Sequence, residues 1–286
     1  MKKFCIITNW EKDKDLKITR EIVSYLEENG CRYCVQKGEK KQEGRYHYTN
    51  PEEIPDDTEC IMVLGGDGTL LQAARDMVHK DIPLLGINLG TLGFLAEVDK
   101  TSVCSALEQL LKDDYEIEER MMLTGKIYRE GKPIGEDIAL NDIVIGREGP
   151  LRVVRFINYV NGEYLNTYHA DGIIISTPTG STGYSLSAGG PIISPSASMI
   201  LMTPLAPHTL NTRSIIFSPE DRITVELGEG RRKVQEEGIA SFDGDTQIDM
   251  ITGDRIEIAC AGEKTKIVKL NNLSFLEVLR QKMRNS

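Results

Sequence analysis

The hydrophobic pattern of this 286-residue chain changes its period once, near Glu119, and that change limits the folds open to it. Before it, short apolar runs alternate with stretches of helical spacing. Residues 3–8 read as a buried strand, and residues 13–29 carry Ile18, Ile22, Val23 and Leu26 on one helical face and stop at Gly30. Residues 31–36 read as a second strand, and 60–64 as a third that Gly65-Gly66 ends abruptly. A helix over 69–79, a strand over 82–88 and a helix over 102–112 follow, the pattern of a parallel sheet covered by helices. Between them, the polar stretch 37–57, with prolines at 51 and 55, reads as an exposed loop or flap.

From Arg120 to about Leu270 the apolar residues alternate or come in runs of four or five, as in Ile173-Ile-Ile-Ser and Arg222-Ile-Thr-Val-Glu-Leu. Turn residues punctuate them at Gly131, Asn161-Gly162, Gly228 and Gly253. The sequence therefore predicts an α/β N-terminal domain with a parallel sheet over 1–119 and a mostly β domain over 120–270. A segment over 271–286 closes the chain, with a helix over 274–284 that packs back on the first domain. The length fits two domains.

Composition removes some classes of function. No apolar run is long enough for a membrane span, and Asn9 comes too early for a signal-peptide core. Lys and Arg total 34 against 44 Asp and Glu, a net charge of -10, which disfavours broad binding to nucleic acid or to an anionic membrane. The chain reads as soluble and cytoplasmic. Its six cysteines are scattered, and only Cys31 and Cys34 share a metal-like or redox-like spacing. No second pair or nearby histidines follow, so buried or half-buried thiols are expected there.

The chemistry concentrates in two segments. In Val63-Leu-Gly65-Gly66-Asp67-Gly68-Thr69, three glycines surround one aspartate at the carboxyl end of a buried strand, where open α/β sheets place their ligands. Glycines let backbone amides approach a phosphate, which makes Gly65, Gly66, Gly68 and Thr69 the phosphate-binding candidates. Asp67 would repel phosphate; it suits holding a hydroxyl or a metal, or else simply caps the next helix. Neither a G-x-G-x-x-G fingerprint nor a P-loop is present. The second segment follows the buried run at 173–175: seven Ser or Thr hydroxyls among small residues from Ser176 to Ser187, a loop suited to a polyhydroxylated or phosphorylated ligand. Asn141-Asp142 begins another strand, where turn usage alone would also explain the pair.

Gly65-Gly-Asp-Gly-Thr69, Asn141-Asp142 and the run Thr177-Pro-Thr-Gly-Ser-Thr-Gly-Tyr-Ser-Leu-Ser187-Ala-Gly-Gly-Pro191 together resemble the motif set of bacterial NAD kinases. Gly86-Ile-Asn-Leu-Gly-Thr-Leu-Gly-Phe-Leu95 and Thr203-Pro-Leu-Ala-Pro-His-Thr-Leu210 are similar to two further family stretches. The glycine-aspartate motif alone is shared with lipid kinases; the 177–191 run is far more specific. The resemblance implies phosphoryl transfer from ATP, or for some members inorganic polyphosphate, to the 2′-hydroxyl of the adenosine ribose of NAD. It implies Asp67 as proton acceptor, a divalent cation such as Mg²⁺ carried mainly by the donor phosphates, and self-association as a homotetramer or homodimer.

For NAD, the resemblance maps onto Asp67, Gly68, Asn141, Asp142, Asp171, Thr182, Gly183, Tyr184, Ser185, Leu186 and Ser187. Asp142 stands where the family often has glutamate, and Gly183 where many members have alanine. His169 occupies a position where some carry arginine, which leaves NAD against NADH open. Arg152 lies near another nucleotide position, or is a solvated strand charge. Asp245, within Ser241-Phe-Asp243-Gly-Asp245, departs from a frequent glutamine. His208 reads as structural, and His47 and His79 as surface residues. A lipid kinase, a non-catalytic NAD sensor and a dehydrogenase are the competing classes. The long run disfavours the first, Asp67 the second and the missing fingerprint the third.

Overall fold

The computed structural model describes residues 1–37, 49–90, 93–96, 98–149, 153–209, 212–230, 235–270 and 274–284. The chain forms two compact units, one of Met1–Arg120 with Lys264–Ser286 and one of Met121–Glu263.

In the first unit, β1 (Lys3–Thr8) lies between β2 (Arg32–Lys37) and β3 (Cys60–Gly65), and β4 (Leu84–Asn88) pairs with the far side of β3, all parallel. The short β5 (Val98–Asp99) and, at Ile267, the end of the strand Arg255–Lys269 also join β4 in parallel. Strands flanked on both faces read as unbroken apolar runs, which is why all six residues of β3 are buried. The helices are α1 (Lys17–Glu28), α2 (Asp67–Met77) and α3 (Val103–Leu111). Ile22 and Leu26 of α1 and Ala106, Leu107 and Leu110 of α3 share one core with Phe4, Ile6, Met62, Leu64, Leu85 and Ile87. Gly86 points to the opposite face by the period-2 rule, and a Cβ there would sit 2.9 Å from Leu70 Cδ2, so α2 covers that side.

The expected C-terminal helix is Phe275–Arg284, and it packs back on this unit: the Phe275 ring lies 6.2 Å from that of Phe94, with Lys282 Nζ 5.1 Å from the Phe94 centroid. The stretch expected to be an exposed loop over 37–57 is partly otherwise. Residues 38–48, His47 among them, lie outside the described residues. At the described end, Ile54 is buried and the Thr49 hydroxyl donates to Asp76, so this part is anchored rather than free.

The second unit is built from β6 (Glu116–Arg129), β7 (Lys132–Ala139), β8 (Asp142–Arg147), β9 (Val154–Val160), β10 (Glu163–Ala170), β11 (Gly172–Ser176), β12 (Ile200–Leu205), β13 (Ile215–Phe217), β14 (Ile223–Leu227), β15 (Glu237–Phe242), β16 (Thr246–Ile251) and β17 (Arg255–Lys269). One antiparallel layer runs β10-β9-β14-β17, with β6 and β7 as a hairpin; the other runs β13-β12-β11-β8-β15-β16. Val154, Phe156, Val225 and Ile256 from the first layer meet Ile143, Ile145, Ile175, Met202 and Phe242 from the second in one core. Alternation puts one face of each strand inward, and full burial of such side chains contributes roughly 1.5–3 kcal/mol apiece. The hairpins turn at Glu130-Gly131, Asn161-Gly162 and Asp243-Gly244, each pair with positive φ, as tight antiparallel turns require. Among the described residues no helix is long and apolar enough to cross a membrane.

Candidate active site

Strand β3 delivers the glycine turn at its carboxyl end. Gly66, in extended backbone, caps α2, and Asp67 is the first helical residue. The Asp67 carboxylate does not cap its own helix. Instead, Oδ2 accepts from Phe94 N at 2.8 Å, and Oδ1 accepts from Leu95 N at 3.3 Å and Ala96 N at 3.4 Å. Three consecutive backbone amides thus orient one carboxylate from a segment 27–29 residues away. Gly93 passes directly over it, where a Cβ would overlap the carboxylate. This gives the 86–95 stretch a local purpose. Gly65 is buried against the Thr69 side chain, whose hydroxyl accepts from Asn9 Nδ2 at 3.2 Å, and Gly68 is exposed.

In the second unit, Asn141 and Asp142 open β8 beside a pocket of about 400 Å³ lined by Asn141, Asp142, Val144, Tyr184, Ser241, Asp243 and Gly244. That volume lies within the usual range for small-ligand sites. Asn141 Oδ1 is buried and has no hydrogen-bond partner among the described residues. Asp142 is 6% exposed, and burial, with the Asp243 charge second, pushes its carboxyl up to about 7. Tyr184, by contrast, is 45% exposed and offers its ring to the pocket. Gly183 adjoins the same corner: a Cβ there would lie 3.5 Å from Asn141 Nδ2 and 3.7 Å from Asp142 Oδ2.

The hydroxyl-rich segment is less open than its composition suggests. It folds as a 3-10 turn over Thr179–Thr182 and a single helical turn, α4 (Tyr184–Ser187). Thr177 Oγ1 donates to Leu140 O at 2.6 Å, Ser181 Oγ to Pro178 O at 2.6 Å, and Thr182 Oγ1 to Thr179 O at 3.2 Å. Ser185 is fully buried, with its hydroxyl on Thr203. Three of the seven hydroxyls therefore go to backbone carbonyls and one to a neighbouring threonine, while the buried Ser176 Oγ has no partner among the described residues. Tyr184, Leu186 and Ser187 remain exposed.

The remaining candidates are not gathered at this pocket. Asp171 precedes β11 and pairs with Arg147 at 2.9 Å, and His169 is exposed on β10, its carbonyl accepting from His208 N at 2.8 Å. Asp142 pairs with Ser176, at the other end of β11, so about five residues of strand, or ~17 Å, separate Asp171 from it. Asp245 lies in the hairpin after Asp243, its N–H donating to Phe242 O at 3.0 Å. Arg152 lies outside the described residues.

Two side chains that the motifs did not single out stand in these places. A Cβ on Gly66 would meet Lys12 Nζ at 2.7 Å, so an ammonium overhangs the glycine turn. Asp243 accepts from the backbone of Leu140, Asn141 and Asp142. Neither relationship had a local signal, since each joins residues more than fifty positions apart. Among the described residues no three or more His, Cys, Asp or Glu side chains converge to hold a metal. A cation carried on a ligand's phosphates would need no such cage.

An acidic residue on a glycine turn at the end of a parallel strand in one unit, and a small-ligand pocket in the other, suit a phosphotransferase that handles nucleotides. Comparison with known proteins gives the family. The model described as the ATP-NAD kinase N-terminal domain matches residues 4–115, and that of the ATP-NAD kinase C-terminal domain matches residues 140–270. The NAD kinase of Lachnospira eligens is 49% identical, covering 99% of this chain and 100% of its own. That of Lachnoclostridium phytofermentans is 46% identical, covering 99% of each. Yeast NADH kinase, solved with NADH, superposes with a TM-score of 0.78 at 26% identity over 98% of this chain and 86% of that one. An NAD kinase from Archaeoglobus fulgidus, solved with ATP, has the same fold, with a TM-score of 0.78 at 22% identity over 99% of both chains. The chain belongs to the NAD kinase family.

Proposed function

We propose that the chain phosphorylates the 2′-hydroxyl of the adenosine ribose of NAD, giving NADP, with ATP as donor and Asp67 as the proton acceptor. The ribose oxygen forms the new P–O bond, the bond from the γ-phosphorus to the ADP oxygen breaks, and the hydroxyl proton passes to Asp67. The observation that carries this reading is the way Asp67 is held. A carboxylate offers about four lone-pair sites, and three are taken by Phe94, Leu95 and Ala96, which leaves one for a hydroxyl. A residue needed only to cap a helix would not be oriented from another segment.

The amides of Gly65, Gly66 and Gly68 suit the phosphates, with Lys12 as an added positive charge; the Thr69 N–H already donates to Gly66 O at 3.0 Å, so Thr69 would contribute its hydroxyl instead. Asn141, Asp142 and Tyr184 suit the nucleoside: the unpartnered Asn141 Oδ1 is an acceptor, and Asp142 is an acceptor or a donor according to its protonation. Mg²⁺ on the donor phosphates would neutralise the charge that develops there. His169, Asp171, Thr182, Gly183, Ser185, Leu186, Ser187 and Asp245 complete the NAD-binding set in this reading, with the buried Ser185 hydroxyl committed to Thr203. A cytoplasmic homo-oligomer belongs to the same reading.

The test is a paired assay of the parent and Asp67→Asn with NAD, Mg²⁺ and ATP, scoring NADP. The reading expects NADP from the parent and a loss of about two orders of magnitude or more in the variant with NAD binding retained. A parent that binds NAD but forms no NADP with ATP or polyphosphate would leave a sensor. An active variant would retire Asp67 as base.

A further inference from the structure

We infer that Asp243 is a positioning residue of the NAD site, its carboxylate fixing the Leu140-Asn141-Asp142 corner that presents Asn141 and Asp142 to the nucleoside. The inference rests on the proposed function for its ligand, and on geometry for everything else.

The backbone of this corner can be accounted for group by group. Leu140 N donates to Asp243 Oδ2 at 2.7 Å, and Asn141 N and Asp142 N donate to Asp243 Oδ1 at 2.8 and 3.0 Å. In return, Asp243 N donates to Asp142 O at 3.0 Å. The other two carbonyls face Thr177: its Oγ1 donates to Leu140 O at 2.6 Å and its N–H to Asn141 O at 2.9 Å. Asp243 and Thr177 therefore hold the corner from opposite sides, Asp243 through all three N–H groups and the Asp142 carbonyl, Thr177 through the other two carbonyls. Only Asp142 of the corner belongs to β8, at its first position, and the acceptor that these three successive amides have is the Asp243 carboxylate. A cluster of consecutive N–H groups on one anion is a strong, directional arrangement.

The turn itself does not require this carboxylate. Asp243 has φ 51°, in the left-handed region that glycine adopts at no cost, and Gly244 follows at φ 76°. Glycine at 243 would relieve the backbone and keep the hairpin. Retaining a side chain there is explained by what the side chain reaches, which is a segment 101–103 residues earlier. Asp243 also forms part of the wall of the pocket that Asn141, Asp142 and Tyr184 line. Its charge beside Asp142 further ties the electrostatics of that residue to the same contact.

The experiment compares the parent with Asp243→Gly and Asp243→Asn. Glycine removes the carboxylate while suiting the backbone; asparagine with its oxygen at the Oδ1 position keeps the acceptor for Asn141 and Asp142 and loses that for Leu140. Amide hydrogen exchange at 140–142 and the KM values for NAD and ATP are read together. Asp243→Gly is expected to speed exchange at these amides and raise KM for NAD by about ten-fold or more, with KM for ATP little changed. Asp243→Asn is expected to recover most of both effects. Unchanged exchange at 140–142 in Asp243→Gly, or a KM for NAD within about two-fold of the parent, would overturn the inference. If Asp243→Gly fails to fold, Asp243→Asn decides: faster exchange at Leu140 than at Asn141 and Asp142 supports the assignment, and uniform exchange rejects it. A parent that forms no NADP refutes the proposed function alone, and the exchange data still decide the role of Asp243.

Discussion

Gly93 lies so close to Asp67 that a Cβ on the glycine would overlap the carboxylate. The next three residues supply the amides that the carboxylate accepts, so Gly93 permits the approach that orients Asp67. Gly93→Ala must push the carboxylate or the 94–96 backbone aside. Displacing a reacting group by about 1 Å costs about two orders of magnitude in rate, and that loss is expected in kcat with NAD binding largely kept. Steady-state kinetics with isothermal titration of NAD checks it. A Gly93→Ala enzyme with parental kcat would show that Asp67 does not need this orientation.

Gly180 and Gly183 should respond in opposite ways to the same change. A Cβ on Gly180 would run into the Asn141 main chain, 2.8 Å from its Cα, and backbone has nowhere to retreat. Gly183 has a negative φ of −96°, and the nearest contact of a Cβ there is the Gly180 oxygen at 3.3 Å, with no clash under 3 Å. Gly180→Ala is expected to lower stability by about 1–3 kcal/mol and weaken NAD binding, as overpacking does. Gly183→Ala should change KM for NAD by less than about three-fold, under 1 kcal/mol. Thermal melts and kinetics on the two variants test the contrast.

Asp142 makes stability depend on pH. Its carboxyl is pushed up to about 7, first by burial and second by the Asp243 charge. An unfolded aspartate titrates near ~3.9, so the native state holds this proton more tightly. The stabilisation is fully present below about pH 4 and is lost as the pH rises through about 7. Asp142→Asn keeps the shape without the ionisation. It should flatten the stability profile between about pH 4 and 7 and exceed the parent at pH 8 by as much as ~4 kcal/mol. Denaturant unfolding at pH 5 and pH 8 gives the answer, and equal pH slopes in the two proteins would contradict it.

Cys31 and Cys34 are free, half-buried thiols, as expected from the sequence. Cys34 stands in register with Cys5 on the neighbouring strand, not with Cys31. A hydrogen bond from Cys5 lowers the Cys34 thiol, and the same contact, with burial, raises Cys5; burial alone pushes Cys60 up to about 12. Since the thiolate reacts, iodoacetamide at about pH 7.5 should label Cys34 ahead of Cys5 and Cys60. Cys5→Ala should slow that labelling, as followed by peptide mass spectrometry. A Cys34 rate indifferent to Cys5→Ala would remove the hydrogen bond as its cause.

Much of the architecture is local and was readable as such. The buried run of β3 ends in two glycines, α1 carries its apolar stripe at helical spacing, and Asn161-Gly162 turns a hairpin because both positions take positive φ. The α/β first part and the mostly β remainder follow from period alone, and the glycine-aspartate turn and the 177–191 run pointed to the family. Each signal lies within about a dozen residues, which is the range over which backbone preference and side-chain period act.

Where each site group points was decided by tertiary structure. Composition made the 176–187 segment look like a display of hydroxyls, but five of the seven residues that carry them are buried, and Thr177 and Ser181 spend theirs on nearby carbonyls, which lowers the cost of burying them. Asp67 is oriented from Phe94–Ala96, and Asn141-Asp142 is held by Asp243. Sequence by itself determined the family, through its motifs, and which elements carry those motifs. Only the folded chain decided which carboxylates accept three amides and which is pushed toward neutrality, because hydrogen-bond geometry and desolvation depend on neighbours that lie tens of residues away along the chain.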